Sequence, residues 1–181
     1  MLADKIRWEE RYKSSKMPTQ PSSILVEFLP KLPKGRVLDI ACGNGRNLHL
    51  LAENGFFCEG IDISQTALQG LHHQNIRTHC LDLDSYALKQ NYYSVILNFY
   101  FLDRAILAQI PLALEKGGMM LLETFIEDET LQNSISPHKI LKQGEMEANF
   151  EGFRILHNVQ KTIPHKNGQD AKILTFVAQK C

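Results

Sequence analysis

The chain carries no net charge: lysine plus arginine and aspartate plus glutamate each total 20. That balance argues against a broad nucleic-acid surface, so nucleic acid is not the expected partner. No C-x-x-C spacing occurs among the four cysteines, Cys42, Cys58, Cys80 and Cys181, and neither a metal site nor a disulfide framework is expected. Cys42, Cys58 and Cys80 sit in apolar, strand-like contexts and read as small buried residues. No apolar run approaches a membrane span. Met1-Leu2-Ala3-Asp4-Lys5 opens no signal-peptide region, so the cytoplasm is the default compartment. There is no internal repeat, no low-complexity stretch and no clear catalytic dyad. At 181 residues, one domain burying roughly 70% of its unfolded surface is expected over 1–181.

What the chain does have is Arg36-Val37-Leu38-Asp39-Ile40-Ala41-Cys42-Gly43-Asn44-Gly45-Arg46-Asn47. Val37, Leu38 and Ile40 form a short apolar run of the buried parallel-strand kind. Gly43 and Gly45 then allow a sharp turn and a close backbone approach to a ligand. Leu48, Leu51 and Ala52 recur at helical spacing, and Gly55 supplies a stop. Strand, glycine turn and helix in that order make the first half of a nucleotide-type site. The dinucleotide fingerprint G-x-G-x-x-G fails, because its third glycine position is Leu48, and no G-x-x-x-x-G-K-[ST] loop exists. Asp39, just ahead of the turn, would repel a pyrophosphate and suit a cationic ligand.

The segment Asp39 to Gly45 resembles the first motif of class I S-adenosylmethionine-dependent methyltransferases, an acid followed by G-x-G-x-G, with Ala41 in place of the first glycine. The resemblance implies a doubly wound, Rossmann-like α/β fold with seven strands, the last antiparallel. It also implies S-adenosylmethionine as cofactor, with S-adenosylhomocysteine as product, at the carboxyl ends of strands one to four. Asp39, Ala41, Cys42, Gly43 and Gly45 belong to that site.

Phe56 to Ser64 reads as a second strand ending in an acid, Asp62, 17 positions after Gly45. A carboxylate there can accept hydrogen bonds from both ribose hydroxyls, with Ile63 beside it, and an exposed strand end would carry little packing. The competing assignment is a helix cap, a task that Ser64 also suits for the helix carrying Ala67, Leu68 and Leu71. The strand Arg77 to Asp82 again ends in an acid. In the family, an acid here and its successor meet the adenine amino group; Asp82 and Leu83 match, with Asp84 a competitor. Tyr92 to Asn98 is a fourth strand, and Asn98 is expected at the cofactor's methionine end. Phe99, Tyr100 and Phe101 either line the acceptor pocket or fill core. Asn98-Phe99-Tyr100-Phe101 also resembles the N-P-P-[YF] motif of nucleic-acid amino methyltransferases, but both prolines are missing.

The two ends of the chain are read as accessories to a core at 36–125. Residues 3–13 form an amphipathic helix with Ile6, Trp8 and Tyr12, and 22–29 form a second; together 1–30 are the expected lid. Trp8-Glu9-Glu10-Arg11-Tyr12 resembles the W-[DN]-x-R-[YF] opening of small bacterial methyltransferases. That resemblance implies Trp8 over the sulfonium and Arg11 on the methionine carboxylate, set against simple packing and a solvated charge. Such a lid is expected to be loose until cofactor orders it. Residues 103–114 look helical, Met119 to Phe125 strand-like, and Glu127-Asp128-Glu129 opens a polar loop beside the acceptor. Within 126–181, a short helix ends near Phe150 and a hairpin pairs strands at Ile155 and Ile173. This end resembles the tellurite-resistance methyltransferase group, which implies a catalytic-side role for His165 followed by Lys166; an idle exposed hairpin is the alternative. The expected acceptor is a small molecule, a thiol or a chalcogen oxyanion, neither of which needs a base if it arrives ionised. A domain that binds the cofactor without turning it over is the other class kept open, and a nicotinamide oxidoreductase is disfavoured by Leu48 and Asp39.

Overall fold

The apolar run Val37, Leu38, Ile40 forms β1 (Arg36–Ile40), an interior strand of the sheet in a computed structural model describing residues 2–128, 135–165 and 170–181. The other strands are β2 (Phe57–Asp62), β3 (Ile76–Cys80), β4 (Tyr93–Phe99), β5 (Leu114–Phe125), β6 (Arg154–Pro164) and β7 (Asp170–Gln179). They are ordered β3-β2-β1-β4-β5-β7-β6. The first five run parallel, and β7 is antiparallel to both its neighbours. The chain builds β1, β2 and β3 outward in one direction and then restarts at β4 on the other side of β1. The strand order therefore reverses between β1 and β4, where open α/β sheets hold their ligands.

Both faces are covered, as continuous apolar strands require. Val37, Val95, Leu97, Met119 and Leu121 pack against α2 (Ser23–Phe28) and α3 (Arg46–Glu53) through Ile24, Leu25, Phe28, Leu48 and Leu51. Leu38, Ile40, Ile96, Met120 and Leu122 pack against α5 (Arg104–Leu107), α6 (Ile110–Ala113) and α7 (Glu145–Asn149) through Ile106, Ile110 and Met146. The remaining helices, α1 (Leu2–Ser14) and α4 (Gln65–Leu68), contact each other. Among the described residues no helix is long and apolar enough to cross a membrane.

Three local departures from the sequence expectation have physical causes. The helix expected over 103–114 is two helices. The Asp103 carboxylate caps the first by accepting from the Ile106 N–H at 2.9 Å, and Pro111, which lacks an N–H, starts the second. The helix after Ser64 stops at Leu68, so Leu71 leaves it and packs over Gly45. β5 starts five residues ahead of Met119, passing through Gly117 at φ +80°, with a register shift against β4. On the far side of the site, Arg104 holds the 137–145 segment to α5. Its guanidinium meets Glu145 through Nε at 2.6 Å and Nη2 at 2.9 Å, and donates to the carbonyls of His138 and Ile140.

Candidate active site

β1 delivers Asp39 to the reversal point with 2% exposure, and one of its carboxylate oxygens has no hydrogen-bond partner. Burial pushes its carboxyl up to about 8; Asp62 nearby adds to the rise and the Arg46 guanidinium opposes it. On the neighbouring strand Asn98, level with Ile40, is fully buried with neither amide atom partnered. A buried polar group without a partner costs free energy. Two such groups on adjacent strands, at the point where ligands are held, mark a place built to be completed by a ligand.

The turn that follows is held left-handed. Ala41, Gly43 and Gly45 have φ of +55°, +57° and +67°. Ala41 thus occupies a conformation that favours glycine, which explains the glycine in the family motif at this position. Ala41→Gly is expected to raise the melting temperature of the ligand-free protein by about 1–3 °C, measured by calorimetry. Gly43 has no room for a side chain, because a Cβ there would lie 2.1 Å from the Tyr12 hydroxyl oxygen. Gly45 is equally confined, with Leu71 Cδ2 2.1 Å from its notional Cβ. Cys42 is buried and its thiol is pushed well up by that burial, while Cys58 is pushed up to about 12 for the same reason.

Asp62 ends β2, as expected, but its setting differs from an exposed strand end. It is 7% exposed and both oxygens are engaged: Gly43 N–H donates to one and Ser64 N–H to the other, each at 2.8 Å. Burial raises its carboxyl, and these backbone donors partly offset the rise. Each oxygen keeps a second lone pair for a ligand hydroxyl. Asp62 therefore ties the glycine turn to the end of β2 while facing the same space. Ser64 caps α4, its Oγ accepting from the Ala67 N–H at 3.1 Å. Ile63 is half-buried, and Leu83, 7% exposed, shares an apolar cluster with Ile61 and Ile40. Asp82 is half-buried and accepts from the Asp84 N–H at 3.1 Å, an Asx turn that settles the two acids into one loop.

The N-terminal helix packs on α4 and on the glycine turn. Glu9, within the Trp8 to Tyr12 segment, accepts from the N–H groups of Gln65 and Thr66 at 2.7 and 3.2 Å. Hydrogen bonding, with Thr66 foremost, holds its carboxyl below the ordinary range. Tyr12 reaches the glycine turn, where its hydroxyl accepts from the Asn44 N–H, and burial raises its phenol far above the usual value. Trp8 packs beside Tyr12 with ring centroids 6.2 Å apart, and the exposed Arg11 guanidinium lies 5.0 Å over the Trp8 ring. The 18–22 linker is tied down as well: Asn44, Arg46 and Asn47 bond Pro18, Gln20 and Ser22 respectively at 2.8–2.9 Å.

At the other end of the site, Glu123 lies near the carboxyl end of β5 with 8% exposure and accepts from Ser22 Oγ at 3.5 Å. Tyr100, Phe125 and His165 form an edge-to-face series with centroids 5.5 and 5.3 Å apart. His165 is thereby brought to the rim that Tyr100 shares. Lys166 and the 129–134 part of the polar loop lie outside the described residues. Among the described residues no group of three metal-ligating side chains gathers. An acid set inside an apolar strand, after Leu121 and Leu122, is the signal that would have found Glu123.

A protein family described as "Methyltransferase domain" matches residues 13–158. No curated protein matches the chain. Among solved structures, TehB from Haemophilus influenzae superposes with a TM-score of 0.80 at 19% identity, over 96% of this chain and 67% of that one. A SAM-dependent methyltransferase from Methanosarcina mazei gives 0.67 at 18%, over 89% and 98%. Phospholethanolamine N-methyltransferase 2 of Haemonchus contortus, in complex with phosphomonomethylethanolamine and S-adenosylhomocysteine, gives 0.66 at 14%, over 97% and 56%. At these identities the likeness is one of fold.

Proposed function

The chain belongs to the methyltransferase-domain family, and from that premise we propose that it transfers the methyl group of S-adenosylmethionine to a small-molecule acceptor. The observation that carries the reading is that Asp39 and Asn98, on neighbouring strands at the strand reversal, each bury side-chain polar atoms without a partner. Both suit a cationic, polar ligand segment and neither suits a pyrophosphate. In this reading Asp39 and Asn98 hold the methionine end, and Gly43 and Gly45 give the cofactor close passage over the turn. Asp62 takes the ribose, and Ile63, Asp82 and Leu83 line the adenine. Ala41 and Cys42 shape the turn; Trp8 and Arg11 belong to a lid over 1–30. When bound, the cofactor supplies an activated methyl on a sulfonium. The protein's part is alignment, and proximity can contribute ~7–11 kcal/mol of barrier reduction.

Of the two acceptor types expected from sequence, a thiol fits better than a chalcogen oxyanion. The acceptor end of the site carries the buried Glu123 carboxylate, which repels an anion. Calorimetry with S-adenosylhomocysteine, S-adenosylmethionine and NAD tests the reading: binding of both adenosyl ligands and none of NAD is expected. Release of S-adenosylhomocysteine on adding an acceptor then separates an enzyme from a binding protein. NAD binding without adenosyl binding would overturn the assignment.

A further inference from the structure

Glu123 lies on the same sheet face as Asp39. Asp39 pairs with Leu97 and Leu97 with Leu121, and Glu123 is two residues beyond Leu121 toward the carboxyl edge. Two strand spacings separate the acids, about 10 Å, with a further two-residue advance of about 7 Å along the strand. That separation leaves room for a donor seated at Asp39 and an acceptor seated at Glu123. Tyr100 is held beside Glu123. Its N–H donates to the Glu123 carbonyl at 2.7 Å, and its phenol lies close enough to the Glu123 carboxylate to be raised by it, behind the larger effect of burial. Tyr100 also adopts φ +57°, a left-handed conformation costing a bulky residue about 1–2 kcal/mol. Strain of this kind persists where the surroundings impose it, and it turns a half-exposed phenol toward the rim where Phe125 and His165 extend the aromatic surface.

We propose that Glu123, acting through the Tyr100 hydroxyl, deprotonates and positions the methyl acceptor, and that the acceptor is a neutral, proton-bearing nucleophile on an apolar body. The proposal rests on the methyltransferase reading above. The acceptor's lone pair forms the bond to the methyl carbon while the C–S electron pair stays on sulfur. The acceptor's proton passes to the Tyr100 oxygen as the Tyr100 proton passes to a Glu123 oxygen, and solvent later removes it. Sulfonium and carboxylate charges are both neutralised, so charge balances. Ser22 Oγ donates to the same carboxylate and fixes its orientation.

The test uses the full chain with S-adenosylmethionine and three acceptors, benzyl mercaptan, benzyl alcohol and sodium selenite, in wild type, Glu123→Gln and Tyr100→Phe. Wild type should methylate a benzyl acceptor and leave selenite untouched. Both variants should lose about 100-fold or more in kcat near pH 7, with S-adenosylhomocysteine affinity within threefold of wild type. With the mercaptan, the loss should shrink as pH passes the thiol's own ionisation, because a thiolate needs no base. Carbon NMR of ring-labelled tyrosine supplies an acceptor-free readout: in Glu123→Gln the Tyr100 signal, identified from Tyr100→Phe, should titrate nearer the free-phenol range. An unmoved Tyr100 titration, a pH-independent loss, or turnover of selenite alone would overturn the proposal. Failure of wild type to bind S-adenosylhomocysteine would instead remove the reading beneath it, and the NMR titration still decides whether Glu123 and Tyr100 are coupled.

Discussion

Asp39→Asn should stabilise the ligand-free protein and in the same variant weaken cofactor binding. The carboxyl is buried, half unpartnered and raised to about 8, whereas an unfolded chain ionises it near 3.9. A folded-state value above the unfolded one means that stability is fully present below about pH 4. It is lost as pH rises toward 8. At pH 7 the loss is on the order of 2–4 kcal/mol, which the amide avoids. Melting temperature should therefore rise by about 5–10 °C in the variant, and the gap between variant and wild type should widen steadily from pH 4 to pH 8. Cofactor reverses the preference. A cationic ligand needs the ionised carboxylate, so wild type should bind it more tightly as pH rises to about 8 and release a proton on binding. Asp39→Asn should bind it about 1.5–3 kcal/mol more weakly with no such pH dependence. Calorimetry in two buffers of different ionisation enthalpy measures the proton directly. A pH-independent melting gap together with unaltered affinity would show that the carboxyl already has a partner in the free protein.

The frame of the molecule was legible because each strand announces itself by one local rule. Val37-Leu38 and Tyr93 to Leu97 are apolar runs bounded by glycine or turn residues, and both are buried as read. The glycine turn was legible for a steric reason that the notional Cβ contacts at Gly43 and Gly45 make explicit. What was not legible is what crosses the sequence. Glu9 meets Gln65, Arg104 meets Glu145, and Glu123 meets Ser22, and no spacing rule relates positions 41 to 101 residues apart. Asp62 is the instructive intermediate. Its place at a strand end was readable, but its grip on the Gly43 N–H depends on which strand lies beside β1. The split of 103–114 was in fact written in Pro111, whose missing N–H ends one helix and begins another.

The N-terminal helix offers the sharpest second test, because its contacts say which residues would hold it. Glu9 fastens it to α4, Asp4 pairs with Lys139 at 3.6 Å, and Tyr12 sits on the glycine turn. In Gly43→Ala the new Cβ would fall 2.1 Å from the Tyr12 oxygen, which no packing tolerates, and φ +57° adds about 1–2 kcal/mol of backbone strain. Tyr12 should be expelled, the Asn44 N–H should lose its acceptor, and amide exchange across α1 should accelerate. S-adenosylhomocysteine affinity should fall at least about tenfold, the equivalent of one lost hydrogen bond, because the methyl also fills the space the turn keeps open. Adding Tyr12→Phe separates the two causes. With the hydroxyl gone, the nearest ring carbon stands 3.3 Å from the Cβ, a contact a small shift relieves. The double variant should therefore regain part of its α1 protection but none of its cofactor affinity. Recovery of both would place the whole defect in the lid. Unchanged α1 protection in the single variant would mean that Tyr12 does not occupy the turn in solution.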